Sequence, residues 1–141
     1  MPVTFHTENL TFSLKQKLRH KRWIKFCIDS QKAVCGNIAF VFTSNEQIKL
    51  INHEYLNHKD FTDVITFDYT EGKTISGDIF ISIDQVRLNA GSYGTEEEDE
   101  LRRVMVHGVL HLLGYGDGSE EERRTMHQME NEALHLWLKT V

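Results

Sequence analysis

The tightest constraint on this chain is the stretch HGVLHLLGYGD, residues 107–117. It has two histidines four apart in an apolar run, a glycine three residues after the second, and an aspartate three after that. Leu101, Val104, Met105, Gly108 and Leu112 fall along one helical stripe, and Val106, Leu110 and Leu113 make the opposite side apolar as well. A helix apolar nearly all round has to lie in a core, so the rest of the chain must wrap around it. His107 and His111 then project the same way, about 6 Å apart along the axis. Two imidazoles so placed can reach one ion at about 2.0–2.1 Å each. A helix cannot supply a third ligand from the same turn. Gly114 can take the left-handed conformation that ends a helix, which lets Asp117 return toward the ion.

Each component has an ordinary explanation when taken alone: a buried histidine is usually a satisfied core residue, and a glycine after a helix is usually a cap. Together they favour a metal. Two imidazoles buried in this helix would leave four ring nitrogens needing partners, and one ion explains both rings and the turn. Three protein ligands, His107, His111 and Asp117, also leave a fourth position for water, the mark of a catalytic rather than a structural site.

The remaining composition fits one globular domain spanning residues 1–141, with 40% hydrophobic and 26% charged residues. No apolar run approaches the roughly 18 residues of a membrane span, and MPVTFHTENL lacks the pattern of a signal peptide. A cytoplasmic protein without a membrane partner is expected. Cys27 and Cys35 have neither a Cys-x-x-Cys spacing nor a secretory context and read as reduced thiols.

The net charge of −5 argues at face value against nucleic acid, but eight of the 21 acidic residues lie in two runs, 96–100 and 120–122. Both runs follow a capping residue, Thr95 or Ser119, where carboxylates suit the positive end of a helix dipole. Lys15, Lys17, Arg19, Lys21, Arg22 and Lys25 cluster around Trp23, either as a polyanion footprint or as a solvated helix face.

Along the chain, VTFHT reads as a short strand, and a capping box at 13–16 begins a helix reaching about Ile28. NIAFVFTS is a strand, and Ser44 to Gln47 caps a helix running to about Asn57 with Ile48, Ile51 and Tyr55 on one stripe. FTDVITFDY and SGDIFISI are strands, Asp84 caps a short helix through Ala90, and AGSYGT is a loop. Helices from Thr95 to about Leu113 and from Ser119 to about Lys139 close the chain. This irregular interleaving gives an α+β class: one small mixed sheet covered by helices, with the metal site on a central buried helix.

HGVLHLLGYGD resembles the H-G-x-L-H-L-x-G-Y-D-H signature of the YbeY family, single-strand-specific metal-dependent endoribonucleases of ribosomal RNA maturation. INHEYLNHKDFTDVITF and GDIFIS resemble that family's upstream segments, so the likeness covers roughly residues 38–135. The resemblance implies a mixed sheet of about four strands with about five helices, one zinc ion, and action on ribosomal RNA with the small ribosomal subunit. His107 and His111 match the first two zinc ligands, and Asp117 stands where a third histidine is usual. An arginine common in the family before the Lys-Asp pair is absent; Tyr55-Leu56-Asn57-His58-Lys59-Asp60 stands there instead. Lys59, with His58 near it, is the closest cationic candidate. Asp60, Asp63 and Asp78 read as caps or strand pins.

A zinc protease carries a glutamate immediately after its first histidine, where this chain has Gly108. A metal ion lowers the pKa of bound water toward about 7 and makes hydroxide available without that base. The expected activity is hydrolysis of single-stranded RNA, with Lys59 or Arg102 neutralising charge on the phosphorane. Three alternatives stand: a non-catalytic, zinc-stabilised, ribosome-associated RNA-binding factor, a metzincin-like metallopeptidase, and a non-haem iron oxygenase, which also uses two histidines and a carboxylate.

Overall fold

A computed structural model describes residues 3–56 and 62–141, and of 55–56 the backbone alone. The elements in chain order are β1 (Val3–Thr7), α1 (Lys17–Ser30), β2 (Val34–Thr43), α2 (Asn45–Leu56), β3 (Val64–Asp68), β4 (Thr74–Ser82), α3 (Ile83–Tyr93), α4 (Glu97–Leu112) and α5 (Glu120–Lys139). The four strands form one sheet in the order β1-β2-β4-β3. β1 and β4 both run parallel to β2, and β3 is antiparallel to β4, so the sheet is mixed. The fold is α+β, as the interleaving of elements led one to expect.

The two faces of the sheet bury unequal cores. Ile38, Phe40 and Phe42 of β2 and Ile75, Ile79 and Ile81 of β4 alternate along their strands, so each set points to one face. There they meet Trp23, Ile24 and Ile28 of α1, Val104, Met105 and Val109 of α4, and Met126, Ala133 and Trp137 of α5. The opposite face carries a smaller cluster, Ile48 and Ile51 of α2 against Ile65, Phe67 and Phe80. α4 lies at the centre of the larger core, where ten of its 16 residues are buried.

Several local expectations shift. α1 starts at Lys17 rather than at the capping box: Gln16 takes a left-handed backbone (φ 55°), and no side chain caps the helix. AGSYGT is not a loop, because α3 continues through Tyr93 and ends at left-handed Gly94. Its cap is Ser82, whose hydroxyl accepts from Gln85 N at 3.1 Å. Asp84 instead accepts from Asn45 N at 2.9 Å and ties α3 to the start of α2. Ser44 and Ser119 cap as their sequence context implies, accepting from Gln47 N and Glu122 N.

The basic cluster of α1 is partly structural. Trp23 is fully buried and donates to Ala133 O at 2.7 Å. Arg19 donates to Thr140 O and Trp137 O and lies 3.9 Å over the Trp137 ring, while Arg22 donates to Val141 O. Two cations of the cluster therefore hold the C-terminal segment, whose unpaired helix carbonyls need donors. Cys27 and Cys35 are free thiols, and burial pushes Cys27 up to about 12. Among the described residues no helix is long and apolar enough to cross a membrane.

Candidate metal centre

The end of α4 builds the site. Gly114 has φ 103°, its N–H donates to His111 O, and the N–H of Tyr115 reaches back to Leu110 O, both at 3.0 Å. This pair of bonds is the Schellman closure, which needs a residue tolerant of the left-handed region just past the helix. It reverses the chain within three residues and brings Asp117 back over the last turn. His107 Nε2 and His111 Nε2 are 3.0 Å apart, and Asp117 Oδ2 lies 3.3 Å from the first and 3.4 Å from the second.

The hydrogen bonds around the two rings say what belongs at their centre. His111 Nδ1 is 2.9 Å from the carbonyl oxygen of Tyr115, which can only accept, so Nδ1 carries the proton and Nε2 of the neutral ring is a bare lone pair. His107 Nδ1 donates to Glu130 Oε2 at 2.6 Å, so whenever this ring is neutral its Nε2 also carries the lone pair. Two lone pairs and a carboxylate oxygen thus converge, an arrangement that repels itself unless a cation or a proton sits among them. For ligands at about 2.0–2.1 Å, the edge of a tetrahedron is about 3.3–3.4 Å. The carboxylate lies at that distance from both rings, as one ion requires, and the two rings stand slightly closer to each other at 3.0 Å. The donor set fits a metal ion, and these three side chains are the group among the described residues able to hold one.

A second layer fixes the first. Glu130 of α5 is buried, and its Oε1 accepts from Arg103 Nη1 at 2.8 Å while Oε2 takes the His107 proton. Arg103 Nη2 also donates to Asn131 Oδ1 at 2.7 Å. Burial alone would lower the pKa of His107, but the hydrogen bond and charge of Glu130 outweigh it and hold the ring above its ordinary value. Burial would likewise raise Glu130, and the bonds from His107 and Arg103 hold it below the usual carboxylate range. A carboxylate behind a histidine raises the basicity of the ring and locks its orientation toward a metal. The sequence analysis missed Glu130 and Arg103. The one signal available was a carboxylate at a position of α5 that its own apolar stripe would bury.

Gly108 explains the absent protease base. A Cβ on it would lie 2.7 Å from Ile79 Cγ2, so this position faces β4 and lets the helix settle onto the sheet. Arg102 is not brought to the histidines. It is 7% exposed, pairs with Asp99 at 2.9 Å, and lies 4.2 Å over the Trp137 ring, inside the α1–α4–α5 contact. One residue further is 100° further round the helix, and it is Arg103 that shares a cavity with His107. His58, Lys59 and Asp60 lie outside the described residues. Asp78 accepts from Tyr69 Oη at 3.4 Å, and the Asp63 side chain, just before β3, accepts from Asn89 Nδ2 of α3 at 3.1 Å.

Comparison with known proteins gives the family and the fold. The family model described as Endoribonuclease YbeY matches residues 3–137. Relatives named Endoribonuclease YbeY include one from Bacteroides thetaiotaomicron, 44% identical over 96% of this chain and 99% of its own length. Another, from Parabacteroides distasonis, is 42% identical over 96% of each. A solution structure of a Thermotoga maritima protein superposes with a TM-score of 0.64 at 23% identity, covering 97% of this chain and 92% of that one, and shares the fold. With a site of two histidines and an aspartate at the end of its central helix, this chain belongs to the Endoribonuclease YbeY family.

Proposed function

We propose that this protein is a metal-dependent endoribonuclease that hydrolyses phosphodiester bonds of single-stranded RNA in ribosomal RNA maturation and small-subunit quality control, with one zinc ion on His107, His111 and Asp117. The observation that carries the reading is the convergence of two imidazole Nε2 atoms and a carboxylate oxygen at a partly open site. The relatives' name, Endoribonuclease YbeY, supplies the substrate class.

When bound, the ion supplies a Lewis acid that brings a water toward a pKa of about 7, so hydroxide is present at neutral pH. His107 and His111 present Nε2 at a fixed angle because their Nδ1 protons are committed to Glu130 and to the Tyr115 carbonyl. Arg103 keeps Glu130 ionised, and so keeps that proton on Nδ1. Asp117 stands on the solvent side, its side chain 48% exposed, where a phosphate can approach. Lys59, close in sequence to β3, is the proposed phosphate contact. Arg102 is spent on Asp99 and Trp137 and is not assigned that role.

The openness of the site favours catalysis over a purely structural metal, because structural zinc centres close all four positions with protein ligands. Gly108 has no side chain to act as the base a peptidase carries at this position, and it faces Ile79. The test is metal content of the purified chain together with cleavage of single-stranded RNA, with and without chelator. Stoichiometric zinc with chelator-sensitive cutting is expected. Zinc-loaded protein that binds RNA without cutting it would leave the RNA-binding factor as the better description, and cleavage of peptide but not RNA would overturn the reading.

A further inference from the structure

Beside the candidate centre, with His107 and Glu130 in its wall, opens a cavity of about 480 Å³. Its walls come from four places in the chain: Asp63 just before β3, Asn89 and Tyr93 of α3, Glu100 and Arg103 of α4, and His127 of α5. The amide of Asn89 is fully occupied. It donates to Asp63 Oδ2 at 3.1 Å, hydrogen-bonds Glu100, and accepts from Gln85 Nε2 at 3.0 Å. Among the described residues neither Asp63 nor Glu100 is in an ion pair, and Glu100 is only 6% exposed. Burial pushes both carboxyls above the usual range. Arg103 spends its terminal nitrogens on Glu130 and Asn131.

The wall therefore offers acceptor oxygens. A neutral group rich in N–H would satisfy it. Tyr93, which also lines the cavity, is 68% exposed. Guanine alone among the RNA bases sets a ring N–H beside an exocyclic amine. Uracil flanks its single N–H with two carbonyl oxygens, and adenine and cytosine place a ring acceptor next to their amine.

We propose that this cavity is a base-recognition subsite that takes an unstacked guanine next to the scissile phosphate, with Asp63 and Glu100 accepting from N1–H and the N2 amine and Tyr93 stacking on the ring. The proposal rests on the endoribonuclease reading of the adjoining centre. Such a pocket also gives a reason for single-strand specificity, since the Watson–Crick edge of a base is free only when it is unpaired.

The experiment uses zinc-loaded full chain and three oligouridylates carrying one internal guanosine, inosine or adenosine. Cutting should concentrate at the guanosine, fall about tenfold with inosine, which lacks the N2 amine, and drop to the uridine background with adenosine. In Asp63→Asn, which keeps the shape but replaces one acceptor by a donor, the guanosine-to-adenosine ratio should fall to about one. Should that variant fail to fold, the inosine arm on the unaltered chain still decides. Equal cutting of all three oligonucleotides overturns the subsite and leaves the nuclease reading standing. If no RNA is cut at all, the nuclease reading fails, and titration of the chain with guanosine and uridine monophosphates judges the cavity separately: tighter binding of the guanosine nucleotide supports it, and equal or absent binding overturns it.

Discussion

Glu130 and His107, 23 residues apart on different helices, meet in a 2.6 Å hydrogen bond that aims the imidazole at the candidate metal position. The bond makes α5 part of the site, although α5 contributes none of its three candidate ligands. Carboxylates in this position typically change metal affinity by about 10–100-fold. Glu130→Gln, which keeps an acceptor but not the charge, should weaken zinc binding about tenfold, and Glu130→Ala nearer a hundredfold. Competition against a chromogenic chelator measures both. Unchanged affinity in Glu130→Ala would reduce the residue to a partner of Arg103.

Asp117→Ala should lose tight metal binding and metal-dependent cleavage, while Asp117→His should retain the metal. With two neutral imidazoles and one carboxylate the site carries about one positive charge less than with three histidines, so the histidine variant should also reach its activity plateau at lower pH. If the aspartate served only as a turn residue before Ser119, its loss would cost about 1 kcal/mol of stability and leave zinc stoichiometry intact. Metal analysis of the purified variant separates the outcomes.

Gly108→Ala should destabilise the fold by about 1–3 kcal/mol, the range for overpacking a filled core. Its Cβ would stand 2.7 Å from Ile79 Cγ2 and 3.1 Å from Cδ1. Gly108→Glu should be worse and create no peptidase activity, because the new carboxylate would point into the sheet. Chemical denaturation gives the first number, and a peptide-cleavage assay on any folded Gly108→Glu material checks the second.

His20 makes stability depend on pH. It is 2% exposed, its Nδ1 bonds to Gln16 O, and its Nε2 has no partner among Phe5, Trp23 and Trp137. Burial, with a contribution from the Arg102 charge, lowers its pKa from 6.5 to about 4. Between those two values the unfolded chain binds the proton and the folded one does not. Stability should therefore fall as pH drops through that window and level off below it, by at most about 3 kcal/mol from this residue. His20→Phe should flatten that part of the curve of denaturation midpoint against pH; an unchanged curve would place the acid sensitivity elsewhere.

What the sequence determined is what lies within a turn or two of helix. His107 and His111 share a face because residues four apart always do, Gly114 must end the helix, and three residues bring Asp117 back, so the candidate ligands were legible without any tertiary contact. Caps at Ser44 and Ser119 were legible for the same reason. The tertiary structure decided whatever depends on how helices roll against one another. Arg102 and Arg103 are indistinguishable as letters, yet docking of α4 between the sheet and α5 sends one over Trp137 and the other to Glu130. The same docking turns Gly108 toward Ile79 and places Asp63, from before β3, in one cavity with Glu100. Periodicity fixes where side chains lie relative to their own helix axis, while the rotation of that axis in the core is set by packing against distant residues, which no local pattern encodes.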